Sequence, residues 1–267
     1  MNKFPYAFIY SFFIISAAFV SFSSEAHAVI KKVNNDIYNQ VLEEFVTGGL
    51  VDYKGLKNDK RLEKYMEHLS NVNPYILDEN EQLAFWINTY NAFTLKLIKD
   101  AYPVKSINDL STGGPVFDPV IKQTVLDKFK FKIDNKKYSL NQIKHQIIRK
   151  RFNEPRIHFA LVCAAKSCPP LRSEAYQADK LNEQLSDQAF RFLNDPSQNG
   201  IDLNNKEIYL SGILKWYMID SARDKYGLVK YVLPYWPINM RQAVGVDVRS
   251  WTIRFVEYDW ALNERIW

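Results

Sequence analysis

The sequence predicts an α+β fold: a single domain of several helices packed on a small central mixed or antiparallel sheet. Three observations carry that expectation. Amphipathic helical stripes recur along the chain without strict strand–helix alternation, and two hairpin signals fall near residues 130–138 and 201–210. Residues 157–162, IHFALV, are apolar on both alternating faces except for His158, and so read as a buried central strand. That strand would end in a loop holding Cys163, Lys166, Ser167 and Cys168 before Pro169 and Pro170, where a strand's carboxyl end offers a crevice to ligands. A papain- or transglutaminase-like cleft is the layout such an arrangement would suit.

Residues 4–24 carry no charge, with Lys3 ahead of them and Ala26-His27-Ala28 behind. This is the pattern of a secretory signal cleaved after Ala28; the alternative is an uncleaved N-terminal membrane anchor. The expected organisation is a signal peptide over 1–28 and one domain over 29–267. Its motif-bearing core would span about 73–237 and a closing strand segment 251–263. The mature protein is then expected in the periplasm or outside the cell, without a stable membrane span. The net charge of +5 is spread among interleaved acids and bases, which argues against a nucleic-acid partner. Aromatics at 15% are assigned to the core rather than to a binding cleft.

In chain order, Ile37, Val41, Leu42 and Phe45 form the stripe of a first helix, which Gly48-Gly49 ends. Residues 50–53 read as extended, and Leu62, Tyr65, Met66 and Leu69 mark a second helix. Asp78 caps a long helix from Glu79 to about Asp100, with Leu83, Trp86, Ile87, Tyr90, Phe93, Leu97 and Ile98 inward. Beside that face runs a stripe of Glu81, Ala84, Asn88, Asn91, Ala92 and Leu95, either the rim of the solvent face or a buried polar row that needs partners. A long loop covers 102–119. Ser139 and Gln142 form a capping box that opens a helix with Leu140, Ile143, Ile147 and Ile148 inward, leaving His145 off its apolar stripe. A helix over 178–194, a helix capped by Ser211, another near 224–232 and a last strand over 251–256 complete the pattern.

The chemistry-bearing side chains are few. Cys163, His145 or His158, and Glu81, Asn88 or Asn91 together supply a thiol, a base and an orienting or oxyanion-binding group, as nucleophilic acyl transfer needs. Ser167, Lys166 and Trp86 are candidate binding residues. The close pair Cys163 and Cys168 is equally a disulfide candidate in an exported protein. A two-histidine, one-carboxylate set of Glu81, His145 and His158 is a weaker reading; no metal and no cofactor are assigned.

Several stretches resemble a known family, the domain of unknown function 547: residues 51–53 (VDY), 81–92 (EQLAFWINTYNA), 103–107 (PVKSI), 143–149 (IKHQIIR), 156–171 (RIHFALVCAAKSCPPL), and 258–260 (YDW) with Leu262 and Asn263. The family's activity is not established, so the resemblance implies architecture and candidate positions. It gathers Glu81, Asn88 and Asn91 in one motif, His145 in another, and His158, Ser167 and Pro169 in a third. In the family's plant branch the last motif keeps the histidine and the Ser-x-Pro but not both cysteines, which implies that a thiol mechanism is not common to the family.

Two functions are therefore expected of an exported protein. One is a hydrolase or acyltransferase acting on amide or peptide bonds of a peptide or cell-envelope substrate, with Cys163 as nucleophile. The other is a non-catalytic binding or scaffold module, its loop pinned by a Cys163–Cys168 disulfide and its Glu, Asn and His groups forming a structural network.

Overall fold

Helices carry most of the architecture, and the strands serve as small clasps between them. The computed structural model of the protein describes residues 32–111 and 124–266; the expected signal segment 1–28 and positions 112–119 of the long loop lie outside the described residues. The first half runs α1 (Asp36–Phe45), β1 (Val46–Thr47), β2 (Leu50–Val51), α2 (Tyr53–Leu56), α3 (Arg61–Ser70), α4 (Glu79–Ala101), α5 (Val125–Lys128), β3 (Lys130–Ile133) and β4 (Lys136–Ser139). A π-helical segment Gln142–Ile148 then leads into α6 (Arg149–Arg151) and α7 (Ile157–Ala160). The second half holds α8 (Leu181–Leu193), β5 (Gly200–Asp202), β6 (Glu207–Ser211), α9 (Gly212–Trp216), α10 (Lys225–Val232), α11 (Ile238–Gly245) and β7 (Thr252–Val256).

Local sequence accounts for the element ends. Gly48 and Gly49, at φ 58° and 86°, make the tight turn between β1 and β2, and a Cβ on Gly49 would meet Pro170 at 2.4 Å. Asp134 and Asn135 make the corresponding turn between β3 and β4, which pair antiparallel from Lys130↔Ser139 to Ile133↔Lys136. Asp78 caps α4 through the Glu81 amide, and Ser139 and Gln142 form the reciprocal capping box. The α+β class is found, with a mixed three-stranded sheet in which β5 and β6 are antiparallel and β6 and β7 parallel.

One expectation is corrected. Residues 157–162 are not a central strand: Ile157–Ala160 is a single helical turn, α7, followed by extended backbone. Burial on every side gives a short helix and a two-sided strand the same apolar run, so alternation could not separate them.

Two hydrophobic cores meet at α7. One is built around α4 and takes Ile157 and Ala160; the other, from α8, β6, α9 and α10, takes Phe159. His158 sits between them and is 5% exposed. Backbone there has no ladder to join, and α4 supplies the missing partners. Asn91 donates from Nδ2 to the Ala160 carbonyl at 2.9 Å, and its Oδ1 accepts from the Val162 amide at 3.0 Å. Three residues earlier, Asn88 grips Tyr176 in the same two-point manner, at 2.8 Å for each bond.

Replacing Asn91 by Ala strands a buried carbonyl and a buried amide, each of which costs about 1–3 kcal/mol. Asn91→Ala is therefore expected to lower unfolding free energy by about 2–4 kcal/mol, read as a reduced urea midpoint at unchanged slope. An unshifted midpoint would show that the clamp does not support the fold.

Candidate functional site

The polar stripe of α4 is buried, and what it holds is backbone. Glu81, at 4% exposure, accepts from the Val33 amide at 2.7 Å. Its carboxyl is held above the ordinary carboxylate range, chiefly by burial. Glu81 and Asn91 are ten positions apart on one helix, about 15 Å along its axis. The stripe thus places a carboxylate at one end of α4 and an amide at the other, without joining them in one site.

The charged centre forms elsewhere, on Asp220 at the end of the turn Met218–Asp220 after α9. Arg149 binds its carboxylate through Nε and Nη2, each at 2.6 Å, and His158 Nε2 lies 2.7 Å from its Oδ2. These donors hold Asp220 well below the usual carboxylate range. Because the guanidinium already balances the carboxylate, the neutral imidazole satisfies the remaining contact by donating Nε2–H. Burial, with Lys144 and Arg149 nearby, lowers the His158 pKa to about 4 against the opposing pull of Asp220. With Nε2 protonated, Nδ1 is left as an acceptor, and it is buried without a partner among the described residues.

Tyr217 organises the groups around this pair. His158 stacks on its ring at 4.2 Å between centroids, and the Lys144 ammonium lies 4.1 Å from the ring centroid. His145 lies 6.1 Å from the same ring, and its Nδ1 accepts from Arg149 Nη1 at 2.9 Å. Burial lowers the His145 pKa to about 4, aided by Lys144 and Arg149. A continuous chain therefore runs His145, Arg149, Asp220, His158. A small cavity borders it, lined among others by Lys144, His158, Cys163, Cys168, Trp216 and Tyr258. Its volume of about 20 Å³ is that of a single water molecule.

Cys163 and Cys168 are joined by a disulfide in that lining, and a bridged sulfur is neither thiolate nor base. In this bridged state Cys163 carries no free thiol. The bridge closes a ring with a sequence separation of only 5, so chain entropy assigns it just about 2 kcal/mol. Other bonds hold the loop. The Lys166 amide donates to Ala261 O at 2.8 Å, the Ser167 amide to Asp259 O at 3.2 Å, and the Asn263 amide to Ala164 O at 3.1 Å. Ser167 Oγ accepts from the Asp259 amide at 2.9 Å. Ala164, at φ 60°, occupies the left-handed region that non-glycine residues seldom adopt, and this strap of residues 259–263 keeps it there.

Of the residues picked from sequence, His145, His158, Cys163 and Cys168 come together. Glu81, Asn88 and Asn91 do not contribute side chains to the cavity; each is spent on backbone. Trp86 is fully buried against Phe85 and Tyr138, away from the cavity lining. Ser167 is buried in the strap, and Lys166 is exposed beside it. The set Glu81, His145 and His158 is not assembled, and no group of three or more potential ligands that could hold a metal occurs among the described residues. No helix among them is long and apolar enough to cross a membrane. Asp220, Arg149, Tyr217 and Tyr258 were missed. For Arg149 the signal was available, four positions after His145 on one helical face; Asp220, in a three-residue turn, had no pattern to mark it.

Residues 75–193 match the model of a family described as "Protein of unknown function, DUF547". No curated protein and no solved structure matches the chain.

The buried imidazole makes stability depend on pH. With its folded pKa at about 4 against the ordinary 6.5, His158 takes up its proton in the unfolded chain first on acidification. Its contribution is complete above pH 6.5 and is lost as pH falls toward 4, by about 3 kcal/mol in all. Thermal unfolding at pH 7 and pH 4.5 is expected to show a large drop in Tm, to which His145 contributes in the same direction, and His158→Gln to lessen it. An equally steep drop in the variant would place the effect elsewhere.

Proposed function

We propose that this chain, which belongs to the DUF547 family through residues 75–193, is a hydrolase or acyltransferase for amide or peptide bonds. In this reading Asp220 orients His158, and Cys163 becomes the nucleophile when its bridge is opened. One observation carries the reading: a buried histidine, fixed at Nε2 by a carboxylate, presents an unpartnered Nδ1 beside a cavity that Cys163 also lines. That is the base-and-orienter half of a nucleophilic triad. A pKa of about 4 belongs to the bridged state, where no anion faces Nδ1. A thiolate at Cys163 would supply the counter-charge and raise it. Lys144, cationic at the cavity wall, is placed to steady the oxyanion of an acyl intermediate. The cavity of the bridged state is only water-sized, so in this reading substrate binds once the two sulfurs have separated within the strapped loop.

The protein is proposed to act outside the cytoplasm after loss of residues 1–28, on a peptide or cell-envelope substrate. A disulfide suits such an oxidising compartment. Intact mass of protein recovered from cells should begin at Val29; a mass that retains residues 1–28 would replace export with anchoring.

A scaffold reading is favoured by one observation only: Glu81, Asn88 and Asn91 are wholly engaged with backbone. Glu81→Gln separates the readings poorly, because glutamine keeps the acceptor for Val33. His158 separates them well.

In a Cys168→Ser variant the freed Cys163 is expected to alkylate readily below pH 7. Adding His158→Gln should move its titration toward the ordinary thiol value of about 8.5. Turnover of peptide amides by reduced wild-type protein should fall at least ~100-fold in His158→Gln and by less in Asp220→Asn. A Cys163 that titrates as an ordinary thiol whether or not His158 is present would overturn the acyl-transfer reading.

A further inference from the structure

We propose a second activity at the same loop: the Cys163–Cys168 bridge exchanges with a low-molecular-weight thiol, Cys163 being the sulfur attacked and Cys168 the leaving group. This rests on the surroundings of the two sulfurs and stands whether or not acyl chemistry follows.

The sulfurs are not equivalent. Cys163 is half-buried, whereas Cys168 is only 6% exposed, so an incoming thiolate meets Cys163 first. Cys168, by contrast, receives one donor that Cys163 does not, a backbone amide, and shares the Tyr258 hydroxyl with it. The Cys163 amide donates to Cys168 Sγ at 2.9 Å, and the Tyr258 hydroxyl lies 3.0 Å from that sulfur and 3.1 Å from Cys163 Sγ. Tyr258 keeps its proton because burial holds the phenol well above its ordinary range. Charge developing on Cys168 as the bond breaks would thus meet an amide and a hydroxyl, both of which strengthen against an anion. A better-stabilised leaving thiolate departs faster. The opened loop also stays in place, since its backbone bonds to Asp259, Ala261 and Asn263 do not involve sulfur.

The step balances as follows. A thiolate RS⁻ attacks Cys163 Sγ, the Sγ–Sγ bond breaks with its electron pair passing to Cys168, and a mixed disulfide R–S–Sγ163 forms beside the Cys168 thiolate. A second RS⁻ attacks the R sulfur and releases RSSR and the Cys163 thiolate. Two electrons pass from two thiols to the protein, and water supplies any protons that the two thiolates take up.

The test treats oxidised full-length protein with 2-mercaptoethanol, quenches with acid at short times, alkylates the free thiols and maps the adducts by mass. Expected is a mercaptoethanol adduct on Cys163 with the alkyl group on Cys168, in protein whose circular dichroism is unchanged. Tyr258→Phe should slow opening about ten-fold, the loss of one hydrogen bond to a charged sulfur. An adduct on Cys168, or a bridge that resists millimolar thiol until the protein is unfolded, would overturn the proposal. An unchanged rate in a folded Tyr258→Phe variant would do the same.

Discussion

The grip of Asn91 on the backbone at Ala160 and Val162 is the constraint on which the site depends. That segment is buried between two cores, with no neighbouring strand among the described residues to take its amides and carbonyls. Buried backbone without partners is costly, so a chain that will not form a ladder must find side chains that imitate one. A carboxamide does this well, because it carries a donor and an acceptor side by side, as a peptide group does. Asn91 uses both, and so does Asn88 against Tyr176. With the carbonyl of 160 and the amide of 162 fixed, α7 cannot rotate, and the direction in which His158 leaves the chain is set.

What His158 then meets is decided by elements far away in sequence. Arg149 comes from the helix after the π-helical segment, Asp220 and Tyr217 from the stretch that follows α9. Arg149 neutralises Asp220 with two bonds, so the histidine can remain uncharged while it donates to the same carboxylate. Burial does most to keep the ring neutral, and the charges of Lys144 and Arg149 add to it against the pull of Asp220. The arginine therefore supports a neutral imidazole that burial chiefly sets, although it does not line that cavity itself.

Much of the architecture was legible because it is written locally. The stripe of α4, the capping box at Ser139 and Gln142, and the turns at Gly48-Gly49 and Asp134-Asn135 are decided within a few residues. The site was only half legible. Residue type and motif picked out both histidines and both cysteines, yet Asp220 sits in a short turn without periodicity, and its importance arises solely from what packs against it. Glu81, Asn88 and Asn91 were singled out as a stripe that could be either solvent rim or a buried row in need of partners, and it is the second. Chemistry was then expected of them because a sequence does not show that the partners are peptide groups. The misread strand has the same origin, since an all-apolar run reports burial and leaves the backbone's own hydrogen bonds unspecified.

The strap of residues 259–263 explains how so short a loop can contain both a left-handed alanine and a bridged pair of cysteines. Its bonds fall on residues 164, 166 and 167, between the two sulfurs, and Tyr258 at its start touches both. Conformation and covalent state are therefore separately controlled: the strap keeps the loop in shape, while the bridge, worth little to so small a ring, is left to chemistry. A disulfide needed for stability would more naturally close a long loop or join the two cores. Here it joins residues already held together and lines the same small cavity as a histidine with an unused lone pair, which is where a reactive sulfur has most to do.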